Sequence, residues 1–249
     1  NLVDQVLRKG WLTNGPLTQK FEKEVCQLIG SKFSIAVNSC TNGLNSVLHA
    51  LNLKKGDEII TSPMTFISSI HNLQNMGLKI KFADIEIDTM NISIQSVKKL
   101  ITKKTKAIVC VHYGGLPCDM DELRNIAKKN NITLIEDAAH ALGAKYNGKR
   151  IGNLSDFSTF SFQAIKHFTT GDGGVLTIKN KKLEDKAKRI RWFGIDRKKK
   201  QQGIWKNDVH EIGFKYQMTD IAATMGCDSL KEFKFINEHR KKIYNTYLE

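Results

Sequence analysis

The feature that most constrains this chain is an alternation. Short apolar runs of strand length (KFSIAVNS, DEIITSP, KIKFADIE, KAIVCVHYGG and ITLIEDAA) are separated by segments with helical periodicity. Phe21, Val25, Leu28 and Ile29 share one helical face, and Leu44, Val47, Leu48 and Leu51 share another. FISSIHNLQNMG closes on Gly77, the stretch from Ser96 to Ile101 forms a further helix, and MDELRNIAKKNN stops at Asn130 and Asn131. Apolar runs too short for helices, alternating with amphipathic helices, specify βαβ units and a mostly parallel sheet. After Asn153 the rhythm changes. SDFSTFSF and GGVLTIKN are two closely spaced strands joined by a loop carrying a lysine, and from Leu183 onward the chain reads as helical and lysine-rich. The three prolines, Pro16, Pro63 and Pro117, all fall in expected loops, and there is neither an internal repeat nor a Gly/Ser linker.

Composition narrows the class. At 249 residues, the chain holds one to two domains at roughly 150 residues each. Apolar residues make up 41%, enough for a sizeable core, and 26% charge argues against extended disorder. Cys26, Cys40, Cys110, Cys118 and Cys227 are odd in number and contain no CxxC pair, which excludes a disulfide framework and a zinc knuckle. A reducing, cytoplasmic setting is therefore expected. No apolar run approaches the ~18 residues of a membrane helix, and no signal peptide is expected. The chain starts at Asn1 with residues that read as mid-helix, so a piece of a longer protein is expected.

The net charge of +14 raises nucleic acid as a partner. The excess lies in KNKKLEDKAKRIR and DRKKKQQGIWK, runs with few aromatics and no nucleic-acid motif. A solvated lysine-rich face accounts for them better; attraction of an anionic nucleotide by Arg191 and Arg197 is an alternative.

In parallel α/β sheets, ligands bind beyond the carboxyl ends of the strands. The residues expected there are Asn38 to Thr41, Ser62 to Phe66, His112 to Gly115, Asp137 to His140, and Ser161 to Gly174. No nucleotide fingerprint occurs among them, since GDGG precedes a strand where a phosphate loop follows one. Three pieces carry chemistry. Asp137 ends a buried strand, where a carboxylate calls for a cationic partner or serves as a helix cap. Lys166 lies between two apolar strands and before TTGDGG; it is either a Schiff-base lysine or an ordinary loop lysine. Asn38-Ser39-Cys40-Thr41-Asn42-Gly43 joins a strand to a helix and offers an anion site or plain capping by Ser39 or Thr41. Together they match the needs of pyridoxal phosphate: an amine for its aldehyde, an acid for its ring nitrogen, and N–H donors for its phosphate.

The segments WLTNGPLTQKFEKEV, NSCTNGL, KKGDEIITSPMTF, VHYGGLPCDMDEL, IEDAAHALGAKYNGKRIG, FSFQAIKHFTTGDGGVL and IGFKYQMTDI span nearly the whole chain. In this order they resemble the DegT/DnrJ/StrS family of pyridoxal-phosphate-dependent nucleotide-sugar aminotransferases. The resemblance implies the α/β fold of type I, aspartate aminotransferase-like enzymes: a three-layer α/β/α large domain on a mostly parallel mixed sheet. It assigns residues 1–230 to that cofactor-binding domain and 231–249 to the start of a helix leading into a C-terminal small domain largely absent from this chain.

Roles follow residue by residue from the same resemblance. Lys166 joins the cofactor's aldehyde and moves the proton, Asp137 faces the ring nitrogen, and His140 lies near the ring hydroxyl. Thr41, the backbone of Asn42, and Ser161 hold the phosphate, and Phe66 stacks on the ring. Lys215, where many relatives carry asparagine, reaches the phosphate in a neighbouring subunit. Cys40, Asn42 and Gln217 also depart from the common glycine, alanine and arginine. Glutamate is the implied amino donor, with pyridoxamine phosphate as the intermediate form of the cofactor. A nucleotide-diphosphate keto-sugar is the implied acceptor and a homodimer with interface sites the implied assembly; no metal, nucleic acid or membrane is implied. A dehydratase on the same scaffold, in which histidine replaces the lysine, is disfavoured by Lys166. A non-catalytic regulatory relative and an amino-acid-acting, desulfurase-like enzyme are further alternatives. Trp11 either lines an entrance or packs; His112 and Tyr113 either support the site or pack.

Overall fold

The alternation forms one seven-stranded sheet between two layers of helices. The computed structural model describes residues 2–197 and 209–248. In chain order the elements are α1 (Leu2–Lys9), α2 (Pro16–Ile29), β1 (Phe33–Val37), α3 (Cys40–Ala50), β2 (Glu58–Thr61), α4 (Ser68–Asn75), β3 (Lys79–Phe82), α5 (Ile94–Leu100) and β4 (Thr105–Val111). They continue with α6 (Met120–Asn130), β5 (Thr133–Asp137), β6 (Lys145–Tyr146), β7 (Lys149–Arg150), β8 (Phe157–Ser161), β9 (Gly174–Ile178), α7 (Lys181–Ile190), α8 (Asp220–Lys231) and α9 (Phe233–Leu248).

The sheet order is β1-β9-β8-β5-β4-β2-β3. The block β8-β5-β4-β2-β3 is parallel, and β9 runs antiparallel to both β1 and β8. This is the expected mostly parallel mixed sheet. Side chains alternate across it, as strand geometry requires. Ile108, Cys110 and Leu134 face a core shared with Phe21, Val25, Leu123 and Ala223, contributed by α2, α6 and α8. Ala107, Val109 and Ile135 face the opposite core with Leu44, Val47, Leu73 and Ile190, contributed by α3, α4 and α7. The strand runs are apolar throughout because both faces are covered.

Local chemistry sets the helix ends. Ser39, Ser93, Asp119, Asn180 and Thr219 each accept a first-turn N–H at the start of α3, α5, α6, α7 and α8. Asn131 closes α6 in the left-handed conformation, at φ 53°. Asp220 also serves a second helix. Its carboxylate accepts from the N–H groups of Gly15, Leu17 and Thr18 and from the Thr18 hydroxyl, fixing the start of α2 against α8.

Three sequence expectations differ. VHYGG leaves the strand early: β4 ends at Val111, and Tyr113–Gly115 form a 3-10 turn with Gly114 and Gly115 at positive φ. The chain is not continuously helical after Leu183. Helix α7 stops at Ile190, and residues 209–219 run as irregular chain whose bridges tie Val209, Lys215 and Gln217 to Ile195, Trp192 and Val37. The small hairpin of β6 and β7 was not anticipated, although Asn147-Gly148, both at positive φ, is the usual signal for such a turn. Most of DRKKKQQGIWK lies outside the described residues. Among the described residues, no helix is long and apolar enough to cross a membrane.

Candidate active site

Asp137 is the last residue of β5, and its side chain faces the α3/α4 side of the sheet. It is buried, with Oδ2 accepting from the Ser69 hydroxyl at 2.6 Å and Oδ1 from the Ala139 N–H at 3.2 Å. These two neutral donors orient the carboxylate and leave it acceptor capacity for a cationic partner. Ser69 lies in the first turn of α4, and its hydroxyl also meets Thr65 Oγ1 at 3.1 Å.

Lys166 sits on the loop between β8 and β9. That loop is closed on itself: Phe162 N–H donates to Gly173 O, Thr170 N–H to Phe162 O, and Lys166 N–H to Gln163 O. Phe162 and Phe168 plug it into the core, edge to face at 4.9 Å, with Phe21 beneath. Lys166 is left half-buried at the carboxyl ends of the strands.

The strand-to-helix turn supplies the third wall. Ser39 caps α3 by accepting the Asn42 N–H, so capping leaves the Thr41 hydroxyl unused. The N–H groups of Cys40 and Thr41, in the first turn, have no intrahelical acceptor. The Asn42 side chain donates to Asn38 Oδ1, and Thr41 O accepts from Asn72 Nδ2 of α4. Gly174, at the start of β9, allows this turn to approach: a Cβ there would lie 2.6 Å from Cys40 N and 2.8 Å from Phe160 O.

Electrostatics show that these pieces share one space. Burial, then the charge of Asp137, pushes the Cys40 thiol up, while Thr159 and the Lys166 ammonium pull it down. His140 is held below its ordinary value by burial, then by Lys166, with Asp137 opposing. The amine, the carboxylate and the helix start thus meet, with His140 beside them. Gly115, at φ +89°, lets the Tyr113–Gly115 turn lie against this corner, where a Cβ would meet His140 O at 2.7 Å.

The remaining candidates are placed as follows. Ser161 ends β8, half-buried, and accepts the Gln163 N–H at 3.5 Å. Phe66 precedes α4 and is 75% exposed, three residues from Ser69. Lys215 is not brought to Lys166 within one chain; its Nζ lies 5.5 Å from the Phe193 ring centroid, and its carbonyl accepts from Asn38 Nδ2. His167 bonds the Leu142 carbonyl and Trp11 is half-exposed. His112 is fully buried against Glu136 and packs rather than lining the site. Arg191 is also buried, bonded to Glu22 and Ala36 O, which removes it from a solvent-facing steering role. Sequence reasoning missed Ser69 and Asn72. Ser69 is 68 residues from Asp137, and no local spacing announces that contact.

The model of the DegT/DnrJ/EryC1/StrS aminotransferase family matches residues 1–249. The chain belongs to this family. It is 44% identical to the uncharacterized protein MJ1066 of Methanocaldococcus jannaschii, over all of this chain and 66% of that protein. It is 38% identical to the spore coat polysaccharide biosynthesis protein SpsC of Bacillus subtilis, over 98% of this chain and 64% of that protein. The chain thus spans slightly less than two thirds of the length of these relatives. Among solved structures, Spr1654 of Streptococcus pneumoniae, assigned as a sugar aminotransferase and solved in its PMP form, superposes with a TM-score of 0.92. It is 31% identical, with 99% of this chain and 68% of that chain covered. Its PLP form gives the same TM-score. DesI in the presence of its TDP-sugar product matches with a TM-score of 0.83 at 35% identity, covering 94% of this chain and 57% of that one.

The donor set fits the cofactor that this family implies. An amine, a carboxylate oriented by hydroxyl and N–H donors, and unspent helix N–H groups are the three contacts that pyridoxal phosphate requires.

Proposed function

We propose that this chain carries the cofactor-binding site of a cytoplasmic aminotransferase that moves an amino group from glutamate to a nucleotide-linked keto-sugar. The observation that carries the reading is the joining of Asp137 to the start of α3 through α4, where Ser69 bonds Asp137 and Asn72 bonds Thr41 O, with Lys166 on the adjoining loop near enough to act on Cys40. The likeness to DesI, solved in the presence of its TDP-sugar product, supports a nucleotide-linked acceptor.

When bound, pyridoxal phosphate supplies a carbonyl that condenses with amines and a ring that draws electron density from the substrate carbon. Lys166 Nζ would take the proton from that carbon and deliver it to the cofactor's former aldehyde carbon, and run the reverse transfer toward the acceptor, as general base and then acid. Asp137, oriented by Ser69 and the Ala139 N–H, holds the proton on the ring nitrogen. The N–H groups at the start of α3, with Thr41, Asn42 and Ser161, hold the phosphate, where the helix N-terminus favours negative charge. His140, biased toward its neutral form, is suited to hydrogen-bond the ring hydroxyl. Phe66 covers one ring face and excludes water. Its exposure, with that of Ile165, leaves an apolar rim beside the cluster that a second copy of the chain would cover, and Lys215 would then meet the partner's phosphate. Lys166 itself favours amino transfer over the dehydratase alternative.

Borohydride reduction of the cofactor-treated protein, followed by peptide mass analysis, tests the assignment. A pyridoxyl group on Lys166 is the expected result; label on another lysine, or none, would remove it. Release of 2-oxoglutarate from glutamate in the presence of nucleotide keto-sugars tests the two substrates.

A further inference from the structure

A second pocket, of about 720 Å³, lies between α2, α7 and the chain preceding α8. It shares no lining residue with the Lys166 cluster. Three of the residues that line it carry a buried side-chain atom without a hydrogen-bond partner: Asn14 Nδ2, Arg191 Nε and Gln217 Oε1. Their residues are only 6%, 8% and 8% exposed. Buried polar atoms are normally satisfied, so three around one space mark a place where a polar group belongs.

The neighbours decide its sign. Arg191 spends Nη1 on Glu22 Oε1 at 2.6 Å and on Ala36 O at 2.8 Å, which leaves its Nε edge unspent. That edge of a guanidinium grips the two oxygens of a carboxylate or phosphoryl group. Arg197 Nη1 donates to Asn14 Oδ1 at 2.7 Å, which fixes the Asn14 amide and leaves its NH2 without a partner. Gln217 carries an amide that presents either an oxygen or an NH2 group by turning over. Of the five basic lining residues, Lys181, Lys188 and Arg189 are ion-paired with Glu184, Asp185 and Glu211, so the preference for an anion rests on Arg191 and Arg197. The acid nearest Arg191, Glu22, is already bonded by Arg191 and by the Ala36 N–H. Burial, then the neighbouring Arg191 charge, disfavours the charged state of Arg197, with Asp220 opposing; an anion between the two guanidiniums relieves that repulsion.

We propose that this pocket binds a small oxyanion, a carboxylate or a phosphoryl group, held by the Nε edge of Arg191 and the Asn14 amide with Gln217 closing the site. The site stands apart from the aminotransferase reading and does not depend on it.

The test is calorimetric titration of the protein with inorganic phosphate and, separately, with acetate, in a non-coordinating buffer. At least one anion should bind saturably; phosphate alone identifies a phosphoryl ligand, and acetate alone a carboxylate. Gln217→Glu and Asn14→Asp keep side-chain size and add a negative charge, and each should weaken binding by about tenfold or more. Gln217→Lys should tighten it. General loss of structure cannot produce opposite signs at one position, and thermal melts confirm that each variant folds. Absence of saturable binding in the wild-type protein, or equal affinity in all four proteins, would overturn the proposal.

Discussion

Glu136 and Asp137 are consecutive acids on one strand, and the sheet sends them to opposite faces. Glu136 is fully buried and saturated: Oε1 accepts from Ser155 N–H, Ser155 Oγ and Ser158 Oγ, and Oε2 pairs with His112 Nε2 at 2.9 Å. His112 in turn accepts the Cys118 N–H through Nδ1, completing a closed network. Asp137 has two donors and faces the space shared with Lys166. A carboxylate whose acceptor sites are filled by the fold holds the fold together, whereas one left with unspent acceptor capacity at a strand end is available for chemistry.

Substitutions should separate the two. Asp137→Asn is expected to lower turnover by about 10²–10⁴-fold while leaving the melting temperature nearly unchanged. A large loss of stability there, or near-normal turnover, would erase the contrast; steady-state kinetics alongside a thermal melt reads both. Glu136→Ala strands a buried His112 and should cost about 3–5 kcal/mol in chemical denaturation. A cost under 1 kcal/mol would show that the network is dispensable.

The pH dependence sharpens the same point. Nδ1 of His112 accepts the Cys118 N–H, so the ring is the neutral tautomer that donates its Nε2–H to Glu136. Glu136 is lowered from 4.5 by His112, Ser155 and Ser158 acting against burial, so its contribution holds above 4.5 and fades as pH falls. The stability difference between wild type and Glu136→Ala should therefore shrink as pH falls into acid. A pH-independent difference would remove charge from the explanation. The smallest effect is expected for Ser69→Ala. It removes one of the two donors to Asp137 and should weaken cofactor retention by about tenfold, with a stability change near 1 kcal/mol. Unchanged retention would mean that Asp137 needs no positioning.

Much of this was legible in the sequence. The βαβ rhythm, the strand-to-helix turn at Asn38–Gly43 and the lysine loop between β8 and β9 are local patterns, and local patterns survive folding. What could not be read depends on contacts across the sheet. Ser69 meets Asp137 only because α4 packs beside β5, and Asp220 reaches back to cap α2 from more than 200 residues away. The missed hairpin at Asn147-Gly148 was readable, its turn signal obscured by strands of only two residues each.

The most direct test of the central claim is a visible absorption spectrum of the protein with pyridoxal phosphate, before and after glutamate, beside the same experiment on Lys166→Ala. The account predicts a visible band in the wild-type protein that bleaches on addition of glutamate, and no such band in the variant. No band in the wild-type protein, or an identical band that bleaches without Lys166, would contradict it.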